Sequence, residues 1–402
     1  MVSNGIECSK CGERFPIIKA LTVCPKCEGA LVFKYDLAAI AEMLSKDDLT
    51  QRNETFWKFI ELLPLSSPES IVTLGEPYTP ILRFQGSLIE GFKNVYIKDD
   101  GRLPTGTFKA RGMAVAVSCL KELGVRRVAI PSAGNAAAAL AAYGAKADLE
   151  IYTFMPKDVP DTILKECIFM KAKTYLVDGL INDAAEIVKR FQGEFGWFNL
   201  STNKQPYRFE GYKAMAFEIA EQFNWRPPSY ILFPTGGGEG IIGLWKGFQE
   251  LKELGWTEKN PHLIAVQSSG CAPIVKAYED GRDGVEEEWK GARTMATGLR
   301  VPRPYASYLV LQALRETEGM AIAVNDEDIA LSMKNFFEKG LYACPEAAAT
   351  LAGLHKLAEA KILDSNEEIL LHLTGNAMVY SDAMTIERAA IPILDRDTVM
   401  ID

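Results

Sequence analysis

Histidine is scarce in this 402-residue chain, which carries only His262, His355 and His372. Three scattered imidazoles argue against a histidine triad or a histidine-based metal centre. His372 alternates with apolar residues on an expected strand and reads as a satisfied core residue. Excess positive charge is also lacking, with 44 Lys and Arg against 53 Asp and Glu and a formal net charge of −9. That balance disfavours nucleic acid or an anionic membrane surface as a main partner. No stretch approaches the roughly 20 apolar residues that cross a bilayer, and the N-terminus lacks the basic-then-apolar order of a signal peptide. A cytoplasmic protein is expected. Repeats and low-complexity segments are absent. A composition of 48% apolar and 24% charged residues suffices to bury a large core in two or three globular units. The run Glu286-Glu-Glu288 reads as solvated surface.

Cysteine is present but unevenly placed. Cys8-Ser-Lys-Cys11 and Cys24-Pro-Lys-Cys27 form two Cys-x-x-Cys pairs with 12 residues between them. Four thiolates at that spacing can close a tetrahedral zinc shell, and Gly12 and Gly29 suit the tight turns around it. A disulfide framework is the alternative, which a cytoplasmic setting disfavours. The expectation is a structural Zn2+ on Cys8, Cys11, Cys24 and Cys27, in a ribbon over 1–35 too short to fold unaided. Cys119, Cys167, Cys271 and Cys344 are scattered and read as buried thiols.

Three segments carry the signals for chemistry. In Leu103-Pro-Thr-Gly-Thr-Phe-Lys-Ala-Arg-Gly112 a turn leads into a helical pattern, and Lys109 stands at the junction. A desolvated lysine amine can form a Schiff base and later carry protons; a lysine at a helix start can also be merely solvated. The second segment is an apolar strand entering Thr235-Gly-Gly-Gly-Glu-Gly240, followed by a helix. Gly236, Gly237, Gly238 and Gly240 let backbone N–H groups converge on a phosphate, while the helix presents its positive end. The spacing differs from the dinucleotide fingerprint. Glu239 is awkward beside a phosphate and is expected to face outward. In the third segment, the strand ending at Ile130 leads into Ser132, Ala133, Gly134 and Asn135 and then an Ala-rich helix. Such a turn suits a carboxylate and a phenolic oxygen, although an ordinary Asn/Ser cap would look the same.

Together these segments resemble the fold-type II pyridoxal-phosphate enzymes, and among them the threonine synthases, over nearly the whole chain. Pro104 to Gly112 is similar to their Pro-Thr-Gly-Ser-Phe-Lys-Asp-Arg-Gly stretch, which implies that Lys109 is the Schiff-base lysine. Ser132 to Asn135 resembles their Ser-Thr-Gly-Asn turn, implying contacts to the substrate carboxylate and the cofactor ring oxygen. Gln205-Pro-Tyr-Arg-Phe-Glu-Gly211 is similar to the segment whose arginine holds the leaving phosphate, a role that falls to Arg208. Leu371-His-Leu-Thr-Gly375 resembles the strand end whose hydroxyl faces the pyridine nitrogen, here Thr374, where a neutral hydrogen bond tempers the electron sink. The sequence departs from the threonine synthases at Ala110, Ala133, the glycine loop and Val379. These changes spare the cofactor apparatus and bear on the half of the site that reads the leaving group.

The resemblance implies a tryptophan synthase β-like α/β fold: two parallel-sheet domains with the cofactor between them, behind the ribbon. Expected strands are Arg127 to Ile130, Leu149 to Phe154, Thr174 to Val177, Tyr230 to Phe233, Leu263 to Gln267 and Ile369 to Leu373. The larger domain is expected over 36–106 and 200–402, with Asp36 to Leu65 helical, and the smaller over 107–199. Trp245 and Phe248 read as core. The loop Gly298-Leu-Arg-Val-Pro302 is a candidate active-site loop, with Arg300 a candidate anion contact. The implied activity converts O-phospho-L-homoserine to L-threonine and phosphate in a homodimer, with a phosphorylated amino acid as substrate. Serine/threonine ammonia-lyase and cysteate synthase-like reactions share the first steps, and a catalytically faded paralogue that recruits a partner is a further alternative.

Overall fold

The computed structural model describes residues 3–84 and 88–383; residues 384–402 of the expected larger domain lie outside the described residues. Three sheets organise the chain. β1 (Ser3–Cys8), β2 (Arg14–Phe15) and β3 (Leu31–Tyr35) pair antiparallel in the order β2-β1-β3. β4 (Ile81–Phe84) and β5 (Val95–Asp99) follow, then β6 (Arg127–Pro131), β7 (Glu150–Pro156), β8 (Lys173–Val177) and β9 (Phe198–Asn199). β10 (Tyr230–Pro234), β11 (His262–Ser268), β12 (Met320–Val324) and β13 (Ile369–Leu373) complete the set. β6 to β9 form a parallel sheet in the order β8-β7-β6-β9, and the other six strands run β12-β11-β10-β13-β5-β4. In the larger sheet the edge pairing of β4 with β5 is antiparallel and the rest are parallel. Continuous apolar runs such as Ile231 to Phe233 and Ile369 to Leu371 fit this arrangement, because helices cover both faces of such sheets.

All six expected strands are present. β4, β5, β9 and β12 were not expected: β9 has two residues, β4 and β5 are interrupted by charge, and the apolar run of β12 was not read as a strand; β4 makes the larger sheet mixed rather than purely parallel. Asp36 to Leu65 is not one helical stretch. Asp36 caps the helix Leu37–Met43, Ser45 forms a capping box that starts Lys46–Thr50, and Phe56–Leu62 is a 3-10 helix. Phe248 is buried, whereas Trp245 is half-buried with its indole N–H donating to Glu316 at 2.9 Å. Glu286, Glu287 and Glu288 are exposed.

A fully buried ionic network lies beneath the strand ends. Arg111 donates to Asp100 at 2.7 Å and to Glu218 at 2.6 Å, Lys98 donates to Glu218 at 2.6 Å, and His372 bonds Asp100 at 3.0 Å. It joins β5, β13, the helix Lys109–Glu122 and the helix Tyr207–Gln222. Two cations balance two carboxylates, the condition under which buried charge is tolerated. The small antiparallel sheet docks on the same body: Tyr35 donates to Glu210 at 2.6 Å, and the Tyr308 hydroxyl takes the Ala30 N–H at 3.0 Å.

Candidate functional site

Lys109 opens the helix Lys109–Glu122, and its loop is pinned to the end of β13. The Phe108 N–H donates to the Thr374 carbonyl at 2.8 Å and the Asn376 N–H to the Gly106 carbonyl at 2.8 Å. Gly106 has φ +66°, and a Cβ there would stand 2.8 Å from Val379, so the turn before the lysine needs glycine. The Lys109 side chain is 21% exposed, with Nζ 3.5 Å from Glu239 Oε2 and 4.3 Å from the Phe108 ring centre. Burial lowers its pKa to about 8; Glu239 pulls the other way and Arg208 adds to the fall. A lysine so placed has the free-amine fraction that nucleophilic attack and proton transfer near neutral pH require.

The glycine loop leaves β10 and enters the helix Glu239–Glu253, which begins without a side-chain cap. Gly238 has φ +89°, and a Cβ there would meet Val310 at 2.2 Å; at Gly240 it would meet the Phe233 ring at 2.2 Å. Bare backbone at an uncapped helix start is the donor set a phosphate needs. Lys109, Asn135, Gly236 to Gly240, Cys344, Glu346 and Thr374 line one narrow cleft. Asn135 donates to the Tyr380 hydroxyl at 2.6 Å, and its Oδ1 has no partner among the described residues. Ser132 Oγ accepts from the Gly134 N–H at 3.0 Å and the Ala137 N–H at 3.2 Å, so this hydroxyl shapes the turn; Ala133 is half-buried beside it. These residues therefore fit a pyridoxal phosphate: an amine for the aldehyde, a cradle for the phosphate and, on a cleft-lining residue, a buried amide oxygen without a partner among the described residues.

Glu239 does not face outward. It is buried, hydrogen-bonded to Arg208, and accepts the Asn203 N–H at 3.3 Å. The buried Arg208 guanidinium at the adjoining helix start supplies the cation that balances this carboxylate. Arg208 is fully buried; it also donates to the Leu200 carbonyl at 3.2 Å and the Tyr212 hydroxyl at 3.2 Å. Thr374 is buried at the end of β13, next to Cys344. Arg300 is engaged by Asp158 in a two-pronged ion pair of 2.7 and 2.8 Å, while Gly298 and Leu299 of the same loop line the cleft. His372 is in the core, as expected.

Glu346, Cys344 and Tyr380 were not singled out in the sequence. Glu346 accepts the Gly298 N–H at 2.7 Å, its Oε2 has no partner among the described residues, and burial raises its carboxyl. Its sequence signal, Pro345-Glu346 at a helix start, speaks only of helix initiation. Cys8, Cys11, Cys24 and Cys27 bring their sulfurs within 4.8 Å of one another. The 3.4 Å between Cys8 and Cys27 and the 3.7 Å between Cys11 and Cys24 are far beyond a disulfide bond. No helix among the described residues is long and apolar enough to cross a membrane.

Known proteins match this arrangement. The family described as pyridoxal-phosphate dependent enzyme matches residues 72–375. The chain is 35% identical over 380 residues to a threonine synthase of Methanocaldococcus jannaschii, covering 94% of this chain and 93% of the relative. It is 33% identical to one of Methanosarcina acetivorans, over 98% of this chain and 95% of the relative. Among solved structures, the processed threonine deaminase isoform 2 of Solanum lycopersicum superposes with a TM-score of 0.65 at 20% identity, over 84% of this chain and 87% of that one. Maize serine racemase gives 0.63 at 21% identity, over 76% and 91%. At those identities the two structures speak for the fold alone, and they share it. The matches in sequence run through the lysine loop, the glycine cradle and the end of β13 alike, and the chain belongs to the pyridoxal-phosphate-dependent enzymes, in their threonine synthase-like branch.

Proposed function

We propose that this enzyme is a lyase of threonine synthase type that converts O-phospho-L-homoserine and water to L-threonine and phosphate. One observation carries the reading: Lys109, with its pKa lowered to about 8, and the fully buried Arg208 converge on Glu239, which lines the cleft together with Lys109. The first cation suits proton transfer at carbon, and the second suits a leaving phosphate. Relatives named threonine synthases, matched over nearly the full chain, support it.

In this reading Gly236, Gly237, Gly238 and Gly240 hold the cofactor phosphate, Asn135 the ring oxygen and Thr374 the ring nitrogen. When bound, pyridoxal phosphate supplies an aldehyde for the amines and a conjugated ring that accepts the electron pair left at the α-carbon. The turn Ser132 to Asn135 grips the substrate carboxylate through its backbone N–H groups. Lys109 Nζ, as free base, removes the α-proton. Arg208 orients the phosphate, and closure of 107–199 onto 36–106 and 200–402 excludes water until the nucleophile is needed.

The visible spectrum of the holoenzyme during addition of O-phospho-L-homoserine, with phosphate and threonine assayed together, tests this. A spectral response with both products released supports it; an unresponsive spectrum sinks the substrate. A second reading, elimination from serine or threonine, is favoured by one fact: Arg208 already has a carboxylate partner, so an uncharged hydroxyl could be the group it meets. We further propose that Cys8, Cys11, Cys24 and Cys27 hold one structural Zn2+, since four converging thiols match its preferred shell. A cytoplasmic homodimer is the expected form, and light scattering gives its mass.

A further inference from the structure

Among the described residues, the titratable side chains that line the cleft are Lys109, Glu239, Cys344 and Glu346. Lys109 is the base of the proposed reaction. Glu239 is tied to the buried Arg208, and burial holds the Cys344 thiol well above its usual range, so neither exchanges a proton readily. Glu346 differs from all three. It opens the helix Pro345–Glu359 and is 6% exposed. Its Oε1 accepts the Gly298 N–H at 2.7 Å; a Cβ on Gly298 would stand 2.8 Å from that oxygen, so the loop meets the carboxyl as bare backbone. Its buried Oε2 has no hydrogen-bond partner among the described residues, with Tyr380 and Cys344 the polar side chains that act on the carboxyl. Its pull on the Lys109 charge is weaker than that of Glu239. Burial raises the Glu346 carboxyl, and a cofactor phosphate in the glycine cradle would add negative charge to the same cleft. Both press the group towards the neutral acid, the form that can give up a proton.

The proposed reaction needs such a group. On the way from O-phospho-L-homoserine to threonine the γ-carbon loses an oxygen and gains a hydrogen, while the β-carbon loses a hydrogen and gains a hydroxyl. We propose that Glu346 is a second catalytic acid–base: it protonates the γ-carbon once phosphate has left and then takes a proton from the water that attacks the β-carbon. The inference rests on the threonine synthase-type reading. The C–O bond breaks with its electron pair going to phosphate. One O–H bond at Glu346 then breaks and one C–H bond forms, the pair coming from the substrate side. The water oxygen bonds to the β-carbon, and the water proton restores the acid. Lys109 serves the α- and β-carbons: the α-proton returns to its carbon and the β-proton ends on the departing phosphate.

Rapid-quench measurement of phosphate and threonine, followed separately after the holoenzyme meets O-phospho-L-homoserine, tests this. The wild type is expected to release the two together. Glu346→Gln, which keeps the shape of the neutral acid without an acidic proton, is expected to release phosphate in a first-turnover burst while threonine slows about a hundred- to ten-thousandfold. Glu346→Asp keeps a carboxyl one methylene shorter and is expected to recover at least about tenfold of that loss. No recovery would mean that shape rather than the proton matters, and would overturn the role. Infrared difference spectra of the same proteins without substrate, near neutral pH, are expected to show a protonated carboxyl in the wild type that Glu346→Gln lacks; a wild type without that band also overturns it. Threonine formed by Glu346→Gln at the wild-type rate would make Lys109 or the departing phosphate the proton donor, which sinks the inference and leaves the reaction standing. Loss of the phosphate burst together with threonine would place Glu346 ahead of C–O cleavage and sink it too. A wild type that releases neither product removes the substrate reading, and the inference falls with it.

Discussion

Lys109 is the residue on which the proposed chemistry turns, and its environment makes a measurable claim. With burial lowering its pKa from 10.5 to about 8, the cofactor-free protein is expected to acylate at Lys109 with a pH midpoint near 8, read by peptide mass spectrometry. A surface lysine keeps gaining reactivity to much higher pH. The sign for stability follows: between pH 8 and 10.5 the unfolded chain binds more protons at this position, so its contribution to stability rises with pH across that window. Lys109→Ala is expected to abolish turnover while the fold persists, because the buried network of Arg111, Asp100, Glu218 and Lys98 lies below it and is untouched. Activity assays with circular dichroism would check both halves.

At the scale of elements, the glycine turn after β10 tolerates no side chain. Gly238→Ala would set a Cβ 2.2 Å from Val310 at a φ of +89°, and the strain is expected to cost about 1–3 kcal/mol in denaturant unfolding and to weaken cofactor binding. This turn was legible in the sequence because strand, glycine run and helix make a local pattern. The four cysteines and the lysine loop were legible for the same reason. Glu239 was misread because its partner, Arg208, is brought beside it only by the packing of two helices, and no spacing along the chain announces that contact. Glu346 and Tyr380 were missed likewise: one lines the cleft and the other meets Asn135 beside it, each from an element whose own sequence reads as ordinary core. β4 and β9 were missed because edge and two-residue strands carry too few apolar positions to show a period.

At the scale of the whole molecule, Arg300 and Asp158 join a loop between β11 and β12 of the larger body to the segment that follows β7 in the smaller sheet. Asp158 is 54% exposed, so breaking this pair is expected to change stability by no more than about 1 kcal/mol. Because it spans the rim of the cleft, Asp158→Ala is expected to raise KM while leaving the melting temperature nearly unchanged, which steady-state kinetics and calorimetry would check. The antiparallel sheet at the N-terminus makes a separate claim. Metal analysis is expected to find one zinc per chain, and a strong chelator to lower the melting temperature, since Tyr35 of this unit reaches Glu210 while Tyr305 and Tyr308 of the body contact it, and its loss would strip partners from the body. The loop before Lys109, finally, is clamped by Thr374 and Asn376, which lie far along the chain from it. On the ribosome, then, the lysine emerges well before its clamp. A chain halted between the two carries the amine on a loop that nothing yet holds in place.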